Sequence, residues 1–181
     1  VLVTCHRREN ILNEYSFKKI ISLLNNIENS NVIFPMGYKT QEILNKSGIL
    51  LNNNVKVLDP IGYLEFMFLL KNSKFVATDS GTVVEEACIL NVPSIQMRYS
   101  TERPEVYDVK ASIKFDPTKS STNNENILSS VDNLKRGWDN PFGDGNSSEL
   151  IVSDLIELSK TDNFKKHNPS DYSFDTSRSF K

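Results

Sequence analysis

Residues 75–105, FVATDSGTVVEEACILNVPSIQMRYSTERPE, alternate between two kinds of local order. Phe75-Val76-Ala77 is a short apolar run suited to a buried strand, and it stops at Thr78-Asp79-Ser80-Gly81. A helical pattern follows from Thr82 to about Leu90. Asn91 and Pro93 end it, and Ser94-Ile95-Gln96-Met97 reads as the next strand. A strand, a small-residue turn and a helix in that order aim backbone N–H groups and the positive end of a helix dipole at one point. That point is a ready seat for an anion such as phosphate. Glu85 and Glu86 fall about one turn into the helix, where one carboxylate can face the ligand edge and bond a sugar hydroxyl. Thr101-Glu102-Arg103-Pro104-Glu105 then forms a charged loop at the carboxyl end of a strand, where open α/β sheets bind ligands. Taken alone, Asp79 and Ser80 equally suit a helix cap, and Arg103 equally suits a surface pair with Glu102 or Glu105.

Val1 to Cys5 is a buried strand, and His6-Arg7-Arg8-Glu9-Asn10 follows at its carboxyl end. Five consecutive polar residues predict a loop there rather than a helix start. Phe17, Ile20, Ile21, Leu24 and Ile27 recur at spacings of three and four, so Glu14 to Ile27 is an amphipathic helix. Asn31 to Met36 is a second strand, and Thr40 to Lys46 a short helix. Val55 to Leu58 is a third strand, and beyond the Pro60 and Gly62 turn a helix runs from Tyr63 to about Lys71. The fourth strand is Phe75 to Thr78. Past the charged loop, Ala111 to Phe115 reads as a further strand and Asn123 to Lys135 as a helix. The turn cluster at 140–145 precedes a helix through Leu158, with Ser147 or Ser148 as its cap. Alternating strands and helices, with motifs at successive strand ends, predict an α/β fold: a doubly wound parallel sheet.

Composition narrows the partners. A chain of 181 residues with 38% hydrophobic and 24% charged side chains suits one soluble α/β domain with a proper core. A net charge of −2 with no long basic run argues against nucleic acid. Cys5 and Cys88 have no pairing pattern and read as buried free thiols in a reducing compartment. No apolar run approaches the roughly 18 residues of a membrane span, and no signal peptide is visible, so a cytoplasmic protein without a membrane partner is expected. No metal site is expected, since His6 and His167 lie far apart without a ligand cluster. The start without Met, in mid-strand at Val1, leads to the expectation of a fragment whose N-terminal part is left out.

Three elements together, Asp79-Ser80-Gly81, the paired Glu85-Glu86 and the loop Thr101 to Glu105, resemble the non-hydrolysing UDP-N-acetylglucosamine 2-epimerase family. His6 to Asn10 matches that family's HRREN, and Asn140 to Glu149 resembles its NPYGDG segment. The resemblance covers roughly Val1 to Glu157. It implies one Rossmann-like half of a two-domain fold of the GT-B type, the half that grips UDP, with residues 1–160 as this domain. Residues 161–181 are a tail whose Tyr172, Phe174 and Phe180 are expected to pack on the absent N-terminal domain. It further implies an isomerase that inverts C2 of a UDP-amino sugar by expelling and re-adding UDP, in surface polysaccharide precursor synthesis. A homodimer is expected at full length, without cofactor, and turnover is not expected of the chain alone. By the same resemblance His6 and Arg103 act on the departing diphosphate with Ser80 and Gly81. Arg7 adds charge beside His6, Tyr63 and Phe66 hold the uracil, and Glu86 takes the ribose hydroxyls. The chain lacks the His-Pro pair common after the family's second strand, where Lys39 is the neighbouring charge. Thr82 stands for a commoner Gly and Val84 for a commoner Gln. Two other functions fit the same grip: donor binding in a GT-B glycosyltransferase, and a nucleotide-sugar sensor without catalysis.

Overall fold

The computed structural model describes residues 1–161. Six strands form one sheet in the order β3-β2-β1-β4-β5-β6, every neighbouring pair parallel. They are β1 (Leu2–Thr4), β2 (Val32–Pro35), β3 (Val55–Leu58), β4 (Val76–Thr78), β5 (Ser94–Met97) and β6 (Ser112–Phe115). Parallel neighbours need crossovers, and helices supply them: α1 (Arg8–Ile11), α2 (Glu14–Asn25), α3 (Tyr38–Ser47), α4 (Tyr63–Lys71), α5 (Gly81–Ile89), α6 (Glu105–Asp108) and α7 (Asn124–Asp132). The strand order reverses between β1 and β4, which pair in the register Leu2 with Val76, Val3 with Ala77 and Thr4 with Thr78. A crevice opens at such a reversal, beyond the carboxyl ends of the strands.

Alternation along the strands divides the core between two faces. Val3, Phe34, Ala77, Ile95 and Phe115 pack with Phe17, Ile20, Ile21 and Leu24 of α2, Leu44 of α3 and Val131 of α7. The residues one step along, Leu2, Ile33 and Val76, meet Leu70 of α4 and Val83 and Ala87 of α5 on the other face. Val84 and Cys88 join Val106 of α6, Trp138 and Phe142 in a third cluster. Strands buried on both faces carry few polar residues, which is why β4 reads as a short apolar run rather than an alternating one.

Two expectations are corrected here. The polar run after β1 is not all loop, since Arg8–Ile11 makes one helical turn. The Arg7 carbonyl accepts from the N–H groups of Asn10 and Ile11, both of which are buried, so burial of this turn outweighs its polar sequence. At α8 (Ser147–Ser159), Asn146 occupies the cap position instead of a serine and makes no side-chain cap bond; its side chain bonds Asp144 in the preceding turn.

The chain divides into two compact units, the first of them Val1–Phe142. In the second unit α8 exposes Leu150, Ile151, Val152, Leu155, Ile156 and Leu158. The expected tail packing of Tyr172, Phe174 and Phe180, and His167, lie outside the described residues. No helix among the described residues is long and apolar enough to cross a membrane.

Candidate functional site

The singled-out residues converge on the carboxyl ends of β1, β4 and β5. Ser80 caps α5, its hydroxyl accepting from Val83 N–H at 3.4 Å, and Gly81 is the first helical residue. The free N–H groups of that first turn therefore point out of the sheet at the strand-order reversal. Asp79 is wholly buried and caps nothing. Its carboxylate accepts from the backbone N–H of His6 at 3.1 Å and of Arg7 at 2.9 Å, and from Asn10 Nδ2 at 3.1 Å. The turn after β4 thereby holds the segment after β1. The His6 imidazole is mostly exposed, with Nδ1 3.7 Å from Asp79 Oδ1, and Arg7 Nη1 lies 3.8 Å from Glu9.

Beside this turn an apolar cleft of about 440 Å³ opens, lined by Pro35, Ile61, Tyr63, Phe66, Val83 and Glu86 among others. Tyr63 begins α4, where Glu65 accepts from Gly62 N–H at 2.9 Å and fixes the first turn. The Tyr63 hydroxyl donates to Glu86 Oε1 at 3.1 Å, and that bond pushes the phenol pKa up. Phe66 is half-buried and packs with Leu70 and Val76. An apolar slot with an aromatic wall and a carboxylate at its edge can take a planar ring joined to a hydroxylated sugar. Another hollow of about 400 Å³, between Asn29, Lys74 and Asp132, contains none of the motif residues.

Glu85 and Glu86 separate. Glu85 Oε2 accepts from Arg103 Nε at 2.7 Å, and Arg103 Nη1 donates to the Glu102 carbonyl at 3.0 Å. Arg103 thus pairs with neither acidic side chain of its own loop. The pair to Glu102 belongs to Arg98, only 5% exposed, which makes a two-pronged contact at 2.6 and 3.0 Å. That contact brings the Glu102 carboxyl down to about 2. The pair lies against α5, since a Cβ added at Gly81 would stand 3.4 Å from Glu102 Oε2 and 3.9 Å from Arg98 Nη1. Arg98 Nε lies 3.6 Å from Glu9 and has no hydrogen-bond partner.

The sheet order seats the His6 loop and the Arg103 loop on either side of the turn at Asp79-Ser80, because β4 lies between β1 and β5. Tyr63, Phe66 and Glu86 share the cleft. Arg98 and Asn10 were not singled out from sequence, although both lie in the quoted segments. An arginine directly after a buried strand was the available sign for Arg98. Among the described residues no group of three or more His, Cys, Asp or Glu could hold a metal ion.

A doubly wound parallel sheet with a capped helix start at its strand-order reversal defines a Rossmann-like α/β domain. The family model described as UDP-N-acetylglucosamine 2-epimerase matches residues 1–156, and the chain belongs to that family. UDP-N-acetylglucosamine 2-epimerase of Methanococcus maripaludis is 44% identical over 162 residues, which are 84% of this chain and 43% of that protein. The enzyme of the same name from Methanocaldococcus jannaschii is 40% identical over 161 residues, covering 83% of this chain and 43% of that protein. The M. jannaschii enzyme solved in complex with UDP-GlcNAc and UDP superposes with a TM-score of 0.76 at 39% identity, over 86% of this chain and 44% of that one. The chain spans less than half the length of these relatives. Its sheet is one half of a GT-B-type fold.

Proposed function

We propose that this chain is the UDP-binding half of an enzyme that inverts C2 of a UDP-N-acyl-amino sugar. One observation carries the reading: the open first turn of α5, at Ser80 and Gly81, adjoins an aromatic-walled cleft edged by Glu86. The first feature suits a diphosphate and the second a nucleoside, and the family's substrates contain both. Uracil lies against Tyr63 and Phe66, the ribose hydroxyls donate to Glu86, and the diphosphate meets Ser80, Gly81 and the donor side chains of His6, Arg7 and Arg103.

Inversion proceeds by elimination. A base takes the C2 proton, the C1–O bond breaks with its electron pair leaving on UDP, and a glycal remains. UDP then adds back to C1 as a proton enters C2 from the opposite face. Negative charge grows on the diphosphate as the bond breaks, so donors fixed in advance around it lower that barrier. His6 and Arg103 are assigned this part. The family's acid and base carboxylates lie mainly in its N-terminal half, so the chain alone is expected to bind without turnover. A cytoplasmic homodimer whose product is a surface polysaccharide precursor completes the reading, supported by the family alone.

Calorimetric titration of the chain with UDP and with uridine tests the binding claim. UDP is expected to bind the tighter of the two, and equal affinities would remove the diphosphate site. Incubation of the complete enzyme with UDP-GlcNAc in deuterated water tests the reaction: deuterium at C2 is expected, and sugar transfer without it would point to a glycosyltransferase.

A further inference from the structure

Asp79 has no exposed surface, so its carboxylate cannot touch a ligand, yet it stands directly before the turn that the proposed diphosphate site is built on. Its oxygens are taken up by one short segment. His6 N–H reaches both, at 3.2 and 3.1 Å, while Arg7 N–H at 2.9 Å and Asn10 Nδ2 at 3.1 Å reach Oδ2. The same Asn10 nitrogen donates to the Met97 carbonyl at 3.0 Å, and the Asp79 N–H donates to Thr4 O at 3.3 Å. Asp79 and its partner Asn10 therefore together tie the ends of β1, β4 and β5. The nearby Cys5 thiol, buried and facing Asp79, is pushed well up, first by burial and then by that charge.

A buried carboxylate is costly unless its oxygens are satisfied, and these are satisfied chiefly by N–H dipoles of the His6 segment. Packing alone does not require it: an apolar side chain at this position would fill the space without ordering any backbone. What the charge adds is direction. Two successive N–H groups aimed at one carboxylate fix the backbone of His6 and Arg7, and so the side from which both side chains leave the chain. His6 and Arg7 supply donor side chains to the proposed diphosphate site, while Tyr63 and Phe66 of the uracil cleft are held by α4 and make none of these contacts.

We propose that Asp79, bridged by Asn10, is a positioning residue for the diphosphate end of the site: it orients His6 and Arg7 without touching the ligand. This inference rests on the UDP-binding reading above. The test compares wild type, Asp79→Asn and Asn10→Ala by titration with UDP and with uridine, beside hydrogen exchange of the His6 and Arg7 amides. Asp79→Asn is expected to weaken UDP about tenfold, the share of one charge-assisted contact. Uridine affinity is expected to stay within about twofold, because the cleft is untouched. The His6 and Arg7 amides are expected to exchange faster while those of α2 keep wild-type protection. Asn10→Ala leaves the carboxylate and its two backbone donors in place, so a loss of about threefold in the same direction is expected. If UDP and uridine weaken together, or if the UDP-to-uridine ratio stays at the wild-type value, the positioning role is overturned. Should Asp79→Asn not fold, Asn10→Ala decides by the same ratio. Wild type that binds UDP no tighter than uridine removes the diphosphate reading and this proposal with it; a discriminating wild type with equally discriminating variants removes the positioning role alone.

Discussion

Glu85 and Glu86 are neighbours in sequence with the same chemistry, and the helix sends them to different tasks. Successive residues on a helix are about 100° apart, so one faces the apolar cleft and the other the arginine loop. Glu86 lines the cleft and accepts from Tyr63, while Glu85 accepts from Arg103. Glu86→Gln is therefore expected to weaken UDP by part of the roughly 1.5–3 kcal/mol that a charge-assisted bond is worth. Binding of a UDP analogue without free ribose hydroxyls should barely change. Parallel calorimetry on Glu85→Gln supplies the check: a larger loss there would move the ribose away from the cleft. Sequence could pair the two glutamates with the family motif but could not resolve what Asp79 does. A carboxylate before a helix suits a cap, and only the fold shows that its partners are the N–H groups of residues some seventy positions earlier. Arg98 was hidden for a similar reason. Its burial and its pair with Glu102 follow from the close approach of the charged loop to Gly81, a contact that no local pattern encodes.

At the scale of elements, the local signals were strong wherever one face or both were apolar. Val55–Leu58, Tyr63–Lys71 and Ser94–Met97 have the boundaries their patterns predict. The polar turn Arg8–Ile11 was not legible, because its helical state depends on burying Asn10 and Ile11 against the sheet. Helix ends show a subtler rule. After α5, Asn91 adopts φ 58° while Asn91 N–H donates to Cys88 O and Val92 N–H to Ala87 O, a Schellman closure. After α6 the same closure recurs, with Lys110 at φ 57° and bonds from Lys110 N–H to Tyr107 O and Ala111 N–H to Val106 O. Asn tolerates this left-handed region and here also accepts from Gly137 N–H at 2.7 Å; a lysine pays the Cβ cost with no such return. Lys110 is exposed, so Lys110→Gly is expected to stabilise the protein by about 0.5–1 kcal/mol despite the added freedom of the unfolded chain. Asn91→Gly, which gives up the side-chain bond, is expected to gain less or lose. Urea unfolding of both variants checks the pair, and a destabilised Lys110→Gly would mean that the strain is absent.

For the whole molecule, the decisive fact is the sheet order. Because β4 lies between β1 and β5, the loops bearing His6 and Arg103 flank one turn rather than opposite edges of the sheet. On the proposed reading, residues almost a hundred positions apart then act on one diphosphate. If they stabilise the leaving group, their contacts strengthen as the C1–O bond breaks, and their loss lowers turnover more than ground-state binding. Removing one such donor typically costs about 10²–10³ in rate. In an enzyme that joins this chain to the remaining length found in its relatives, His6→Ala or Arg103→Ala is thus expected to abolish most epimerisation. UDP-sugar affinity should survive to within about tenfold. The contacts of the two side chains sharpen the comparison. His6 is mostly exposed, so its removal should leave thermal stability near wild type, whereas Arg103→Ala frees Glu85 and gives up a partly exposed ion pair worth little. Both variants should therefore melt close to wild type while kcat falls. Early melting with binding and turnover lost together would make the two residues supports of the fold, and near wild-type kcat would take them out of the chemistry.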